Sequence, residues 1–163
     1  MSRIDWKSLT VRIPVKAKMK DLYNAWTKPN ELEDWFLRRA AYKSKDKRAL
    51  RPSASVVKGC TFEWEWYGHE GVEKGVVKEA NGTDHVQFTF ANSLVDVRLH
   101  KQGDTVIVEL VQSGIPTDAA SKKNIRIGCH VGWTFWMANL KSVYEGGLNL
   151  RNTNEELTGM ANN

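Results

Sequence analysis

The clearest pattern of apolar and polar positions lies near the end of the chain, between residues 128 and 147. Five apolar side chains recur there at steps of four, three, four and three residues: Cys129, Trp133, Trp136, Leu140 and Val143. This spacing places them on one face of an α-helix. Because that face carries two tryptophans, the helix needs a large apolar surface to lie against.

The middle of the chain alternates apolar and polar residues with the period of a β-strand. Five such runs lie between Cys60 and Ser113, and short turn signals join them. Asn81-Gly82 is the strongest of these signals because both residues tolerate positive φ. Connections of hairpin length predict five consecutive antiparallel strands. The apolar side of these strands carries, in chain order, Trp64, Trp66, Phe88, Phe90, Val97, Leu99, Val108 and Leu110.

The first third of the chain predicts one strand and two short helices. Residues 9–15 alternate as a half-buried strand does, and residues 19–26 keep helical spacing. Asn30 can cap a second helix, whose Trp35 and Phe36 face inward. The predicted order is therefore β-α-α-β5-α, an α+β fold in which a long C-terminal helix lies across an antiparallel sheet.

The net charge of +5 is concentrated in one segment. Between Arg38 and Lys58, eight lysines and arginines stand beside a single acid, Asp46, so this segment carries +7 and the rest of the chain −2. Its composition predicts a solvated loop. Two functional roles remain open for it, a surface for an acidic protein partner and a mobile gate over a cavity mouth. No DNA- or RNA-binding motif accompanies the charge, which disfavours nucleic acid as the partner.

The sequence predicts no catalytic residue, metal ligand or cofactor. The four histidines lack the spacing of a metal site, and the motifs of phosphate loops, serine hydrolases and zinc proteases are absent. Cys60 and Cys129 are expected to be reduced and packed. No apolar run suits a signal peptide or approaches the ~20 residues of a membrane span, so we expect a cytoplasmic protein.

A length of 163 residues suits one domain, which we expect to cover residues 1–148. Residues 149–163 are polar and have no clear period. They predict a C-terminal tail that is either disordered or forms one extra helical turn.

Four segments resemble a known family: LYNAWTKPNELEDWF, LRPSASVVKGCTFEWEW, KGVVKEA and GWTFWMANLKSVYEGG. Together with the order of elements they resemble the START-like helix-grip superfamily, and within it the branch named after the activator of the heat-shock protein 90 ATPase. The resemblance runs from about Leu9 to Leu148. It implies a curved antiparallel sheet wrapped around the C-terminal helix, with a deep hydrophobic cavity between them.

The resemblance, combined with the alternation of the strands, implies which residues line that cavity. The expected ligand-binding residues are Trp35, Phe36, Trp64, Trp66, Phe88, Phe90, Val97, Leu99, Val108, Leu110, Gln112, Trp133, Trp136 and Leu140. Trp35 and Phe36 are expected to act as a lid, and Gln112 is the best candidate for a polar contact. We expect the cavity to be bounded by Trp64, Phe88, Leu99, Trp133 and Trp136.

Three functional classes follow from the resemblance. The leading hypothesis is noncatalytic binding of a small hydrophobic or amphipathic molecule. The alternatives are a protein-interaction module similar to the chaperone activators and an enzyme of cyclase or hydratase type. The inward strand positions offer almost no titratable group, which disfavours acid-base catalysis.

Overall fold

The computed structural model describes residues 3–163. Its strands and helices follow the predicted order with two additions, a strand before the meander and a short helical stretch before the C-terminal helix. In chain order they are β1 (Ser8–Val15), α1 (Met19–Thr27), α2 (Pro29–Trp35), β2 (Arg39–Lys43), β3 (Thr61–Glu65), β4 (Glu73–Ala80), β5 (His85–Phe90), β6 (Ser93–Gln102), β7 (Thr105–Ser113), α3 (Ala119–Ser121), a π-helical segment (Lys122–Ile127) and α4 (Gly128–Tyr144).

The strands form one antiparallel sheet in the order β1-β7-β6-β5-β4-β3-β2. The predicted meander of five strands corresponds to β3 to β7, and the first strand lies at an edge, as Pro14 indicates. The predicted α+β helix-grip fold is therefore confirmed. α2 begins at Pro29 rather than after Asn30, because proline suits the first helical position, where its missing N–H leaves no donor unpaired.

The sequence pattern does not reveal β2, which lies inside the segment expected to be a basic loop. Its buried positions are only Ala40 and Tyr42, which pair with Trp64 and Phe62 of β3. Two inward residues flanked by cations give little alternation to detect. An edge strand tolerates such charges, because they face solvent and hinder pairing with other chains.

Helix α4 lies against the apolar side of the sheet, as its periodicity predicts. Trp133, Trp136 and Leu140 are buried, while Cys129 and Val143 are half-buried at the two ends of the stripe. Full burial of each large apolar side chain contributes about 1.5–3 kcal/mol. The helix also buries Asn139, which the apolar periodicity did not single out.

One buried amide ties α4 to the sheet. Gln112 of β7 is fully buried, and its Oε1 accepts a hydrogen bond from Trp133 Nε1 at 2.8 Å. The Gln112 amide nitrogen donates to Ser93 Oγ at 2.7 Å, and that hydroxyl donates to the Phe90 carbonyl at 2.7 Å. A buried amide is costly unless its polar atoms are paired. The position of Trp133, and with it that of α4, is thus coupled to this network.

Shortening Trp133 should destabilise the protein. We expect Trp133→Phe to lower the free energy of unfolding by about 2–3 kcal/mol, because a smaller ring leaves a void and Gln112 Oε1 loses its donor. Trp133→Ala should cost about 3–5 kcal/mol. Urea denaturation measures both values. Trp6→Phe is the control, because Trp6 lies outside the buried core and should change stability by less than about 0.5 kcal/mol.

The hydrogen bond can be separated from ring packing by a double-mutant cycle with Gln112→Leu. We expect the cost of Trp133→Phe to be about 1 kcal/mol smaller in that background, because the acceptor is already gone. An equal cost in both backgrounds would show that the hydrogen bond does not couple the two residues.

Candidate functional site

An open cleft of about 600 Å³ lies where the first half of α4 passes the turn between β3 and β4. Five aromatic rings border it: Phe36, Trp66, Phe90, Trp133 and Trp136. The β3–β4 turn contributes His69, Glu70, Gly71 and Val72, and Glu73 begins β4 beside them. The helical side contributes Asn124, Gly128, Cys129, Val131 and Gly132, and the chain's last residues contribute Met160, Ala161 and Asn163.

The space exists because the helix surface is recessed at this point. Gly128 and Gly132 lie one helical turn apart and carry no side chains. A Cβ added at Gly132 would meet no atom within 4 Å, so nothing else fills the gap. Gly71 opens the opposite wall in the same way, with a φ of 100° that favours glycine. The cleft is therefore a gap between the β3–β4 turn, the start of α4 and the chain's last residues.

Phe36 forms the floor of the cleft and the centre of the aromatic layer beneath it. Its ring centroid lies 5.0–5.6 Å from those of Trp35, Trp64, Trp66, Trp133 and Trp136. Three of these pairs meet edge to face, an arrangement that aromatic quadrupoles favour. The floor is consequently held by rings on the sheet, on α4 and on α2.

The structure divides the fourteen predicted ligand-binding residues into two groups. Five border the cleft, namely Phe36, Trp66, Phe90, Trp133 and Trp136. The other nine do not border it: Trp35, Trp64, Phe88, Val97, Leu99, Val108, Leu110, Gln112 and Leu140. All nine are buried in the interior.

The predicted cavity over the middle of the sheet is occupied by the protein's own side chains. The rings of Trp64 and Phe88 lie 5.2 Å apart, and Phe62 stacks on Trp64 at 4.2 Å. Leu99 is buried beside this layer. Strand alternation identifies which side chains face inward, but not whether opposing side chains meet. The open space lies at one end of the sheet instead.

Trp35 and Phe36 do not form a lid. Trp35 is fully buried and its Nε1 donates to the Ala25 carbonyl at 3.0 Å, which fixes it against α1. Phe36 is also buried, beneath the cleft rather than above it.

The basic segment is not a gate over this cleft. The β2–β3 connection, residues 44–60, leaves the sheet at the Lys43 and Thr61 end, whereas the cleft lies beyond the Glu65 end of the same hairpin. Arg38 and Arg39 do lie at the Glu65 end, where both pair with the Glu65 carboxylate. None of residues 38–58 borders the cleft. The Pro52 carbonyl accepts from Asn30 N at 3.0 Å, which holds the connection on α2.

The predicted tail, residues 149–163, forms an irregular segment anchored on α2 and α4 rather than a helical turn. Buried Asn139 donates to the Trp35 carbonyl at 2.6 Å and accepts from Leu150 N at 2.7 Å. The Arg151 guanidinium donates to the backbone carbonyls of Glu33, Asp34 and Leu37 at 2.9 Å, which satisfies the end of α2. Burial lowers the pKa of Arg151. These contacts direct the chain's last residues to the cleft.

Two polar groups, the Glu73 carboxylate and the Cys129 thiol, lie on opposite walls of the cleft. Glu73 Oε1 accepts a hydrogen bond from Ala91 N at 3.0 Å, which ties its carboxylate to the β5–β6 turn. On the helical wall, burial raises the pKa of the Cys129 thiol, a hydrogen bond with Gln112 opposes part of this rise, and the negative charge of Glu73 adds to it. The thiol is therefore mainly protonated at neutral pH.

The predicted binding residues do not include the cleft residues outside the aromatic stripe. The signal that points to them is the pair Gly128 and Gly132, which repeats at helical spacing beside Trp133 and leaves a gap on an otherwise bulky face. No signal in the sequence connects the chain's end to this gap.

Across residues 3–163, no three His, Cys, Asp or Glu side chains come together as metal ligands. None of the helices in that range combines the length and apolar character that crossing a membrane requires.

Comparisons with solved structures support the fold. A protein from Staphylococcus saprophyticus has a TM-score of 0.69 at 12% identity, over 88% of this chain and 96% of that one. The Aha1 dimer from Colwellia psychrerythraea has a TM-score of 0.68 at 18% identity, over 86% and 97%. CalU16 from Micromonospora echinospora has a TM-score of 0.62 at 19% identity, over 86% and 76%. Identities this low show the shared fold alone.

The family comparison is more specific. No curated protein sequence matches the chain significantly. Residues 16–145, however, match the family model described as activator of Hsp90 ATPase homolog 1-like protein. Since this match covers most of the chain and agrees with its helix-grip fold, the chain belongs to the activator of Hsp90 ATPase homolog 1-like family of the START-like superfamily.

Proposed function

We propose that this protein binds a small hydrophobic or amphipathic molecule, without catalysis, in the cleft between α4 and the β3–β4 turn. The observation that carries the proposal is an open space of about 600 Å³ with five aromatic rings on its border. Small-molecule sites are typically concave, of ~300–1,000 Å³, mostly apolar and supplied with a few polar groups. The cleft matches each of these properties.

Apolar side chains around the opening support the same proposal. Val131 on α4 is 67% exposed, and Val72 and Met160 are each 45% exposed. All three border the cleft, one from each of its walls. A ligand seated on the aromatic floor would remove part of this surface from water, which is favourable at about 25 cal/mol per Å² of apolar area.

The protonated state of the Cys129 thiol supports ligand binding rather than nucleophilic catalysis. Cys129 is a potential nucleophile that borders the cleft, but a reactive cysteine needs a lowered pKa, and burial raises the pKa of this thiol. The expected cytoplasmic location remains part of the proposal, in keeping with two free cysteines.

The neutral fluorescent probe N-phenyl-1-naphthylamine tests the proposal. We expect it to bind with increased fluorescence and to slow alkylation of Cys129, because the thiol lines the cleft. Gly132→Leu should abolish both effects by filling the space while the protein stays folded. Ala138→Leu is the matched control on the exposed side of the same helix and should bind normally. Absence of binding to the native protein, or equal binding to both variants, would refute the proposal.

Alkylation of Cys129 should depend on pH in a defined direction. Since only the thiolate reacts and burial raises the pKa, the rate with iodoacetamide should reach half its maximum above the ~8.5 of an ordinary thiol. Peptide mass spectrometry should locate the label at Cys129, because Cys60 is fully buried. A midpoint below 8 would contradict this assignment of the thiol's surroundings.

A second candidate function is docking of an acidic protein partner on the β2–β3 connection. Five exposed cations lie here, namely Lys43, Lys45, Lys47, Arg48 and Arg51, besides Lys58, which pairs with Glu79. Among residues 3–163, none of the five has an acid within ion-pair distance. Hydrogen bonds to the Pro52 carbonyl and from Val56 N hold the backbone, so the charges are presented on an anchored surface.

Poly-glutamate provides a probe for this surface. We expect binding that weakens as salt shortens the screening length toward ~8 Å at physiological strength. Joint replacement of Lys43, Lys45, Lys47 and Arg48 by Gln should remove it. The control replaces four lysines elsewhere, namely Lys16, Lys18, Lys20 and Lys101. Equal losses in the two variants would indicate net charge alone, and tight duplex-DNA binding lost only in the first would identify nucleic acid instead.

A further inference from the structure

The charge of the cleft is opposite to that of the chain. Although the protein carries a net +5, the residues of 3–163 that border the cleft include Glu70 and Glu73 but no lysine or arginine. The other titratable side chains on its described border are His69 and the Cys129 thiol. Among residues 3–163, neither glutamate has a cation within the 4.0 Å of an ion pair.

Glu73 differs in this respect from the other acids of the sheet. Every other Asp or Glu within β1 to β7 has a cationic partner. These pairs are Glu63 with Lys74 at 3.2 Å, Glu65 with Arg38 at 2.7 Å, Glu79 with Lys58 at 2.6 Å, Asp96 with Arg98 at 3.6 Å and Glu109 with Arg12 at 3.0 Å. The strand acids away from the cleft are compensated, and the one at the cleft is not.

Nearby cations are directed elsewhere. Lys74 follows Glu73 directly but faces the opposite side of the strand, where it pairs with Glu63. On the helix before α4, Lys122 lies over the ring of Trp6, and Arg126 Nε donates to the Asp5 carbonyl at 2.9 Å. None of these three cations therefore offsets the charge of Glu70 and Glu73.

The Glu73 carboxylate is positioned to meet a ligand. Its Oε1 is fixed by the hydrogen bond from Ala91 N, and its side chain is half-buried in the cleft wall. Trp66 and Phe90 border the same space and are partly exposed, so their ring faces are available beside the carboxylate. Aromatic faces attract cations electrostatically, most strongly when water is partly excluded.

We propose that the cleft takes an organic cation, a small molecule with a positively charged nitrogen on an apolar or aromatic body. The nitrogen lies toward Glu73 and Glu70, and the body lies on the rings of Trp66, Phe90 and Trp136. This inference rests on the proposed ligand-binding function and adds the chemical class of the ligand. An anionic amphiphile such as a fatty acid meets two like charges and no cation.

Three probes that share one apolar body test the charge preference: 2-(1-naphthyl)ethylamine, 2-(1-naphthyl)ethanol and 1-naphthylacetate. Calorimetric or NMR titration at pH 7 gives their affinities. We expect the amine to bind about 10-fold more tightly than the alcohol, and the acetate to bind most weakly. The preference for the amine should shrink as salt is raised.

Two double variants test whether Glu70 and Glu73 cause the preference for the amine. Joint Glu70→Gln and Glu73→Gln should reduce the amine-to-alcohol ratio to about 1–2, while a glutamine at 73 retains an oxygen to accept from Ala91 N. Joint Glu79→Gln and Glu156→Gln removes the same charge away from the cleft. This control should keep the full ratio.

The outcomes separate the inference from the proposed function. If all three probes bind equally and displace N-phenyl-1-naphthylamine, the cleft binds ligands but the charge preference is wrong. If none binds, both proposals fail. Tighter binding of the acetate than of the amine, or an unchanged ratio in the Glu70 and Glu73 double variant, overturns the inference.

Discussion

The hydrogen bond between the Trp133 indole and the buried Gln112 amide determines how α4 lies on the sheet. Apolar packing alone allows a helix to rotate or slide at modest cost, whereas a buried amide left unpaired costs about 1–3 kcal/mol. The hydrogen bond that pairs the Gln112 amide oxygen therefore holds the Trp133 ring at one position above β6 and β7. The remaining rings of the layer, with Phe36 at its centre, pack around that position.

The cleft is a consequence of this arrangement. With α4 held at Trp133, the preceding turn carries Gly128 and Gly132 over the end of β3 and leaves a gap that no side chain fills. At the middle of the sheet, by contrast, the rings of Trp64, Phe62 and Phe88 pack against one another beneath the helix and fill the interior. In this protein the helix-grip fold has a filled centre and an open end.

Positive and negative charge are also separated between the two ends of the β2–β3 hairpin. The excess of lysine and arginine lies on the β2–β3 connection, at one end of the hairpin, and the uncompensated Glu73 lies near the other. Because exposed charges are screened within about 8–10 Å, the two ends present different potentials to small molecules and partners. The net charge of the chain is consequently a poor guide to the ligand that the cleft prefers.

The sequence by itself determined the helix-grip fold, the meander from β3 to β7 and the apolar face of α4, because periods of two and 3.6 residues report which side chains face inward. It did not reveal β2, whose only inward residues are Ala40 and Tyr42. Tertiary structure alone decided that the central rings meet, that Gln112 pairs with Trp133 and that Met160 reaches the cleft. Periodicity specifies the direction of a side chain within its own element. Whether opposing side chains leave space depends on the distance between elements, which is set by contacts between residues far apart in the chain.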